Sequence, residues 1–135
     1  MGALSTIRDG LKTRLATITG LRAHDVIPGQ VVTPAAVVGM PEQILFDLTF
    51  ARGADRYTIP IRVYAAKADD RTSQDKIDGF LAGTGSGSIK AAIEGDVTLG
   101  ATAHTCRVVE ARGYGVYNVS GIDLLGVDFI VEVIA

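Results

Sequence analysis

The sequence predicts a single-domain α+β fold in which an antiparallel sheet packs against helices. The chain has 135 residues, which suits one domain around one hydrophobic core. Apolar residues recur every three or four positions in the N-terminal segment, as in a helix, whereas two later regions alternate with period two, as in strands. The predicted order is α-β-β-β-α-β-β in one domain of residues 1–135, ending in a long C-terminal hairpin.

The first predicted element is an amphipathic helix over residues 4–18. Ser5 or Thr6 is placed to cap this helix, and Gly20 is placed to end it. Its apolar residues share one face, with charged residues between them; they are Leu4, Ile7, Leu11, Leu15 and Ile18. After a proline-containing stretch, the short apolar run AAVVG at residues 35–39 predicts a buried strand.

The next two strands are predicted to form an antiparallel hairpin. Residues 44–50 and 56–66 both alternate apolar and polar side chains, and the segment ARGAD between them contains a glycine suited to a turn. Pro60 cannot donate a ladder hydrogen bond, which predicts a free edge or a bulge at that position. Arg62 and Tyr64 are expected on the face opposite the core.

A second hairpin closes the chain. Residues 105–119 and 122–135 are both predicted as strands, the second with alternating faces, and the Ser-Gly dipeptide at residues 120–121 supplies the turn between them. Ahead of this hairpin, residues 88–95 predict a short helical piece with Ser88 as its cap.

The stretch ADDRTSQDKIDGF at residues 68–80 poses a choice between a metal or acid/base site and the start of a helix. An apolar stripe predicts a central helix there; its members are Ile77, Phe80 and Leu81. Carboxylates are favoured at helix N-termini because they accept hydrogen bonds from the free N–H groups. We therefore predict a cap made by Asp69 or Asp70, with Thr72 and Asp75 as a capping box. An ion or substrate site and a salt bridge between subunits stay open as alternatives.

No residues in the sequence have the spacing of a catalytic or metal site. His24 and His104 are isolated, and the lone Cys106 lies in a predicted strand, where a buried structural thiol is expected. The glycine-rich run at residues 83–88 lacks the Lys-Ser/Thr ending of a phosphate loop. We therefore predict a protein that is not an enzyme and uses no metal and no cofactor.

Composition and charge exclude two further classes of protein. The net charge is −2 and the isoelectric point about 5.6, which argues against binding of nucleic acid over the whole surface. No apolar run approaches the ~20 residues that a membrane span needs. The N-terminus lacks the apolar core of a signal peptide, so the protein is expected in the cytoplasm of the cell that makes it.

Four segments carry a resemblance to a known family. They are STIRDGLKTRLATITGLRAHDVIP, PAAVVG, DLTFARGADRYTIPIRVYAAKADDRTSQDKIDGFLAGTGSGSIKAAIE and ARGYGVYNVSGIDLLGVDFIVEVIA. Together they resemble small tail proteins of long-tailed phages that infect actinobacteria. The order of predicted elements is similar to that of the tail terminator family.

The resemblance implies a subunit of a hexameric ring in the neck of the virion, made in the host cytoplasm. Such a ring caps the finished tail tube, ends its polymerisation and presents a surface to the head–tail connector. The implied partners are other copies of the chain, the major tail tube protein and the connector protein. The resemblance also implies that DNA passes through the bore of the ring without specific binding.

The turn ARGAD and the C-terminal hairpin are predicted to carry the subunit contacts, because both place charged and aromatic side chains at exposed tips. Arginine and tyrosine are among the residue types enriched at interface hot spots. The predicted interface residues are Arg52, Asp55, Arg56, Arg112, Tyr114 and Tyr117. The competing interpretation is that they are ordinary surface residues.

Other functions stay open on the sequence. One is a connector ring protein of the same neck, and another is a tail tube subunit, although tube proteins are usually longer and richer in strands. A small-ligand binding module would use the sheet face as its pocket, and the lack of converging polar groups weighs against it. An enzyme would depend on Asp69, Asp70 and His104.

Overall fold

The computed structural model describes residues 3–18, 21–24, 34–47, 54–67, 71–83, 85, 87–99, 103, 105–119 and 121–135. These residues form three helices and one six-stranded sheet. In chain order the elements are α1 (Ala3–Leu15), β1 (Arg22–His24), β2 (Ala35–Val38), β3 (Gln43–Leu45), β4 (Arg56–Lys67), α2 (Arg71–Leu81), α3 (Ile89–Glu94), β5 (Thr105–Val119) and β6 (Ile122–Ile134). None of the described helices combines the length and the apolar character needed to cross a lipid bilayer.

The fold class predicted from the sequence is confirmed: the protein is a single-domain α+β structure with a mostly antiparallel sheet and a long C-terminal hairpin. The strands lie in the order β1-β2-β4-β6-β5, and β3 pairs with β4 on the same side as β2. β1 is an additional strand, which pairs in parallel with β2 through three residues. A strand of three residues is too short to show alternation, so the sequence pattern does not reveal it.

Pro60 lies in β4 and interrupts the strand that pairs with this part of β4. Its carbonyl accepts a hydrogen bond from the N–H of Gly39 at 2.8 Å, but its ring nitrogen has no hydrogen to donate in return. The neighbouring strand therefore breaks into β2 and β3, and pairing resumes where the N–H of Glu42 donates to the carbonyl of Thr58 at 2.8 Å. The irregularity predicted at Pro60 is present.

β3 is shorter than the strand predicted over residues 44–50. It pairs antiparallel with the start of β4, as predicted, but it ends at Leu45. Phe46 is 70% exposed and Asp47 has a φ of 56°, so the chain leaves the strand conformation there. Residues 48–50 lie outside the described residues. The prediction is correct for the pairing and wrong for the length of the strand.

The helices and one face of the sheet share a continuous apolar core. In α1, Ile7, Leu11 and Leu15 are fully buried, and Ile18 belongs to the core although the helix ends before it. The strands contribute alternate residues of one face, which we call the inner face; among them are Ile59, Ile61, Val63, Val127, Phe129, Val131 and Val133. The opposite, outer face carries no helix among the described residues.

α2 begins at Arg71, directly after the aspartate pair of the predicted cap. Asp69 and Asp70 lie outside the described residues, so a cap made by either stays a prediction. Thr72 and Asp75 lie inside α2, and the side chain of Asp75 is exposed. Thr72 therefore does not occupy the position before the helix that a capping box requires.

α3 begins as predicted, with Ser88 as its N-cap. The Oγ of Ser88 accepts a hydrogen bond from the N–H of Ala91 at 3.1 Å and donates to the carbonyl of Ala82. Ser88 is only 1% exposed. One buried hydroxyl thus starts α3 and ties it to the end of α2.

Gly10 marks the closest approach of α1 to the turn after α3. A Cβ atom at this position would lie 2.9 Å from the Cβ of Leu99 and 3.2 Å from its carbonyl oxygen. Leu99 is buried and has a φ of 52°, so it has little room to retreat. We expect Gly10→Ala to lower the free energy of unfolding by about 1–2 kcal/mol, measured by urea denaturation, although alanine favours helices more than glycine.

Gly79 of α2 is the matched control for Gly10. A Cβ atom there meets no atom within 4 Å. Gly79→Ala should therefore raise the free energy of unfolding by about 0.5–1 kcal/mol through helix propensity alone. A gain of stability in both variants would contradict the close contact at Gly10.

Candidate assembly surface

Four apolar side chains on the outer face are buried although no described helix covers them. Val37, Tyr64, Leu124 and Ile130 are 6%, 8%, 4% and 4% exposed. The prediction that Arg62 and Tyr64 point away from the core is confirmed, and Tyr64 is buried in a second, smaller apolar cluster.

An arginine, an aspartate and two tyrosines form a packed group on the outer face. The Nε and Nη2 atoms of Arg62 donate to Oδ1 and Oδ2 of Asp128 at 2.6 and 2.8 Å. The guanidinium carbon of Arg62 lies 4.2 Å from the ring centroid of Tyr117, and this ring meets Tyr64 edge-on at 6.3 Å between centroids. The hydrogen bond that Arg62 donates to Asp128 raises the pKa of Arg62 above its ordinary value, although burial opposes this. Arg62 therefore stays charged.

A β-bulge in β5 separates the two tyrosines of the predicted interface. The pairing with β6 shifts between Arg112 and Gly115, and Gly113 has a φ of 70°. Tyr117, beyond the bulge, lies on the outer face and donates its hydroxyl hydrogen to the carbonyl of Gly113. Tyr114 lies within the bulge and is 44% exposed.

A second ion pair crosses the whole outer face. Nη2 of Arg112 lies 2.8 Å from both carboxylate oxygens of Glu42, and Nη1 lies 3.5 Å from Glu110. Arg112 belongs to β5 and Glu42 directly precedes β3, so β4 and β6 lie between them. In a flat sheet these strands would be roughly 14 Å apart. The two long side chains therefore reach toward each other across β4 and β6, and their ion pair links β5 to the start of β3.

The described charges of the outer face balance. Among the outward positions of β4, β5 and β6 whose side chains the structure describes, together with Glu42, four arginines meet four carboxylates; they are Arg56, Arg62, Arg107 and Arg112 with Glu42, Glu110, Asp128 and Glu132. Three of the arginines contact carboxylates of the same face. This described part of the face therefore presents no excess of positive charge to a polyanion.

One side of the sheet ends at β5. Near the N-terminal end of β5, Oε2 of Glu94 accepts a hydrogen bond from the N–H of Val108 at 3.0 Å, so α3 covers the strand edge there. Farther along, no described strand pairs with the outer edge of β5. Exposed apolar surface follows this edge at Tyr114 and at Val116, which is 58% exposed. We call residues 110–118 the β5 margin.

The other side of the sheet is open along β3. β1 covers β2 only, and no described strand covers the outer edge of β3. Met40 and Phe46 flank this edge and are each 70% exposed. We call residues 40–46 the β3 margin. Among the described residues, the sheet therefore has two edges without a paired strand, which differ in sequence and each carry large exposed apolar side chains.

The charge of the Glu94 carboxylate makes the stability that its contact with the β5 edge contributes depend on pH. Burial alone would raise the pKa of Glu94, but the ammonium group of Lys90 and the N–H of Val108 outweigh it, and the pKa lies below its ordinary value of 4.5. A lowered pKa in the folded state stabilises the protein above the unfolded pKa, and this contribution is lost as the pH falls through the folded pKa.

We expect Glu94→Gln to lower the free energy of unfolding by about 1 kcal/mol at pH 7. The difference in stability from the unsubstituted protein should shrink as the pH falls from 4.5 through the lowered pKa of Glu94. The glutamate is then protonated and, like glutamine, carries no charge. Urea denaturation across pH 3–7 measures the difference. A deficit that is independent of pH would contradict the role of the carboxylate charge.

The structure describes two of the interface residues predicted at the ARGAD turn, Asp55 and Arg56; Arg52 lies outside the described residues. Oδ1 of Asp55 accepts a hydrogen bond from the N–H of Asp47 at 2.9 Å, and the backbone of Asp55 pairs with Ala135 at 2.7 and 2.9 Å. Arg56 is half-buried, and its Nε has no hydrogen-bond partner. The contacts of Asp55 tie it to the end of β6.

Of the three interface residues predicted in the hairpin, Arg112 and Tyr117 contact other side chains of the same chain. Tyr114 is exposed and has no described contact across the outer face. The sequence interpretation missed the apolar members of the two margins, which are Met40, Phe46 and Val116. Alternation does not identify Val116, because it lies on the inner face, where a buried side chain is expected. Val116 is exposed because no described helix covers the inner face at that position.

A small cleft lies on the helix side of the protein. It has a volume of about 310 Å³ and lies between α1 and the turn after α3; its lining residues are Thr6, Asp9, Gly10, Thr13, Arg14, Asp96 and Leu99. Nε of Arg14 already donates to the carbonyl of Ala92 at 2.9 Å. The cleft is therefore not the sheet-face pocket expected of a ligand-binding module.

Of the candidate reactive residues, Cys106 and His24 lie in the described part of the chain, whereas Asp69 and Asp70 do not. Cys106 is buried as predicted, and burial raises the pKa of its thiol to about 11, so the thiol stays protonated at neutral pH. His24 lies in β1, and His104 lies outside the described residues. In the part of the chain that the structure describes, no group of three or more His, Cys, Asp or Glu side chains is placed to hold a metal ion.

No protein-family model matches the sequence, and a search of the curated proteins finds no match to it. The function is therefore argued from the two margins, the outer face and the resemblance of the sequence.

Proposed function

We propose that this chain is a structural virion protein of the tail terminator type. Its copies form a ring that caps the tail tube, ends tail polymerisation and joins the tail to the head connector. The resemblance of the sequence supports the place in the virion, and the geometry of the sheet supports the ring. The protein acts through its surfaces rather than through catalysis.

The observation that carries the proposal is the difference between the two sheet margins. Contact between two different surfaces of identical copies is head-to-tail, and such contacts generate closed rings when the rotation between copies closes. The β5 margin offers Tyr114 and Val116, and the β3 margin offers Met40 and Phe46. Each margin also leaves strand edges open to pairing.

The balanced outer face supports passage of DNA through such a ring. A polyanion binds where cations are in excess, because binding releases counterions from the phosphates. Here three of the four described arginines of the outer face contact carboxylates of the same face, as in the pair of Arg62 with Asp128. A bore lined by this face would let duplex DNA pass without holding it.

Charge at either margin should abolish the ring. We expect Val116→Asp or Phe46→Asp to weaken subunit association by about tenfold or more, because each places a carboxylate in an apolar contact. Light scattering after size exclusion and negative-stain images measure the assembly. Val97→Asp changes an exposed valine that belongs to neither margin, and it should leave the ring intact. Rings that persist in both margin variants would overturn the proposed contact surfaces.

Loss of the gene distinguishes the terminator from a connector ring of the same neck. Tails of uncontrolled length are expected if the protein ends polymerisation. Tails of normal length with empty heads would assign the protein to the connector instead. Electron micrographs of lysates from a phage that lacks this gene measure both outcomes.

A further inference from the structure

We propose that the β5 margin of one copy docks against the β3 margin of the next copy, and that Arg112 then exchanges the Glu42 of its own chain for the Glu42 of that neighbour. This inference rests on the proposed ring and specifies its subunit contact.

The complementarity of the two margins is visible within a single chain. Nη2 of Arg112, on the β5 margin, contacts both carboxylate oxygens of Glu42, on the β3 margin, at 2.8 Å. The side chain of Arg112 is 52% exposed and that of Glu42 is 43% exposed. Both groups are therefore accessible to a second copy without any unfolding of the sheet.

The contact within one chain spans more of the sheet than a contact between copies would. Within the chain, the two side chains meet across β4 and β6. When the β5 margin lies beside the β3 margin of another copy, Arg112 and that copy's Glu42 lie on adjacent strands. Opposite charges on adjacent strands stabilise a sheet. The exchange therefore keeps the ion pair, and the two side chains no longer have to reach across two intervening strands.

The rest of each margin fits the same contact. Glu94 closes the edge of β5 at Val108, so an incoming strand has access only to the distal part of β5. That part carries Tyr114 and Val116, and the β3 margin carries Met40 and Phe46 beside its own open edge. Strand addition at a sheet edge takes its affinity from main-chain hydrogen bonds and its specificity from side chains of this kind.

Two charge reversals, mixed in solution, test the exchange. Arg112→Glu places two carboxylates at the contact, and Glu42→Arg places two guanidinium groups there. Either variant alone should associate about tenfold to a hundredfold more weakly than the unsubstituted protein. In an equimolar mixture, every contact between unlike copies joins one arginine to one glutamate, while the pair within each chain stays like-charged. We expect the mixture to recover rings in which the two variants alternate, detected by native mass spectrometry.

The controls separate this contact from folding and from the ring itself. Circular dichroism should show both variants folded, and Asp78→Arg, a reversal on the exposed face of α2, should leave the ring unchanged. Rings of the unsubstituted protein without recovery in the mixture would overturn the exchange and leave the proposed ring standing. Recovery only when both reversals lie in one chain would assign the pair to that chain and overturn the exchange as well. An unsubstituted protein that stays monomeric at ~1 mM would overturn both proposals.

Discussion

Gly126→Ala should lower the free energy of unfolding by about 2–3 kcal/mol. A Cβ atom at Gly126 would lie 2.9 Å from the carbonyl oxygen of Val63, 3.1 Å from the ring of Tyr117 and 3.2 Å from the ring of Tyr64. The Val63 carbonyl belongs to the centre of β4 and cannot move without disturbing the ladder with β6. The added methyl group must therefore push the strands or the two tyrosine rings apart. Urea denaturation followed by circular dichroism measures the loss.

Gly115 is the matched control, since it pairs directly with Gly126 across the hairpin. A Cβ atom at Gly115 meets no atom within 4 Å, so Gly115→Ala should leave stability unchanged or slightly higher. Near-ultraviolet circular dichroism should also change in the Gly126 variant only, because the tyrosine pair is displaced there. Equal stability of the two variants would contradict the packing of the rings over Gly126.

Local sequence patterns predict the parts of this fold whose cause is local. The strands of the C-terminal hairpin lie where the sequence predicts them, and Gly121 of the Ser-Gly dipeptide between them has a φ of 83°. The cap at Ser88 also follows from neighbouring residues, because the N–H that it binds is three positions away. Neither feature depends on which strands become neighbours in the sheet.

Features that depend on the neighbours of each strand were not predictable from the sequence. The break between β2 and β3 lies opposite Pro60, and it can be located only when the register with β4 is known. The bridge from Arg112 to Glu42 joins residues 70 positions apart across two strands. Residue type alone predicts Arg112 as an interface residue, and it does not indicate Glu42 as its partner.

The same limit explains the outcome for the hairpin tyrosines. Tyr114 and Tyr117 are the same residue type in the same strand. The bulge between Arg112 and Gly115 leaves Tyr114 exposed to solvent and places Tyr117 against Arg62. A bulge adds one unpaired residue, so it reverses the side on which later side chains project. Period-two alternation cannot assign faces beyond such a point.

Ser88→Ala should lower the free energy of unfolding by about 1–2 kcal/mol, because it removes an N-cap and the hydrogen-bond partner of two partly buried backbone groups. These groups are the N–H of Ala91 and the carbonyl of Ala82. The effect should extend to the sheet edge, since α3 carries the Glu94 carboxylate that binds the N–H of Val108. Hydrogen exchange should therefore speed up both in α3 and at Val108.

Ser88→Thr keeps the hydroxyl group and provides the control for this chain of contacts. Its added methyl group enters a buried site, so some stability is lost, but the N–H groups of Ala91 and Val108 should stay protected. An alanine variant in which Val108 exchanges as slowly as in the unsubstituted protein would contradict the link from the cap to the β5 edge. If the link holds, the alanine variant should also expose the base of β5 to strand pairing. It should then form irregular aggregates in place of rings, because the incoming strand is no longer confined to the distal half of β5.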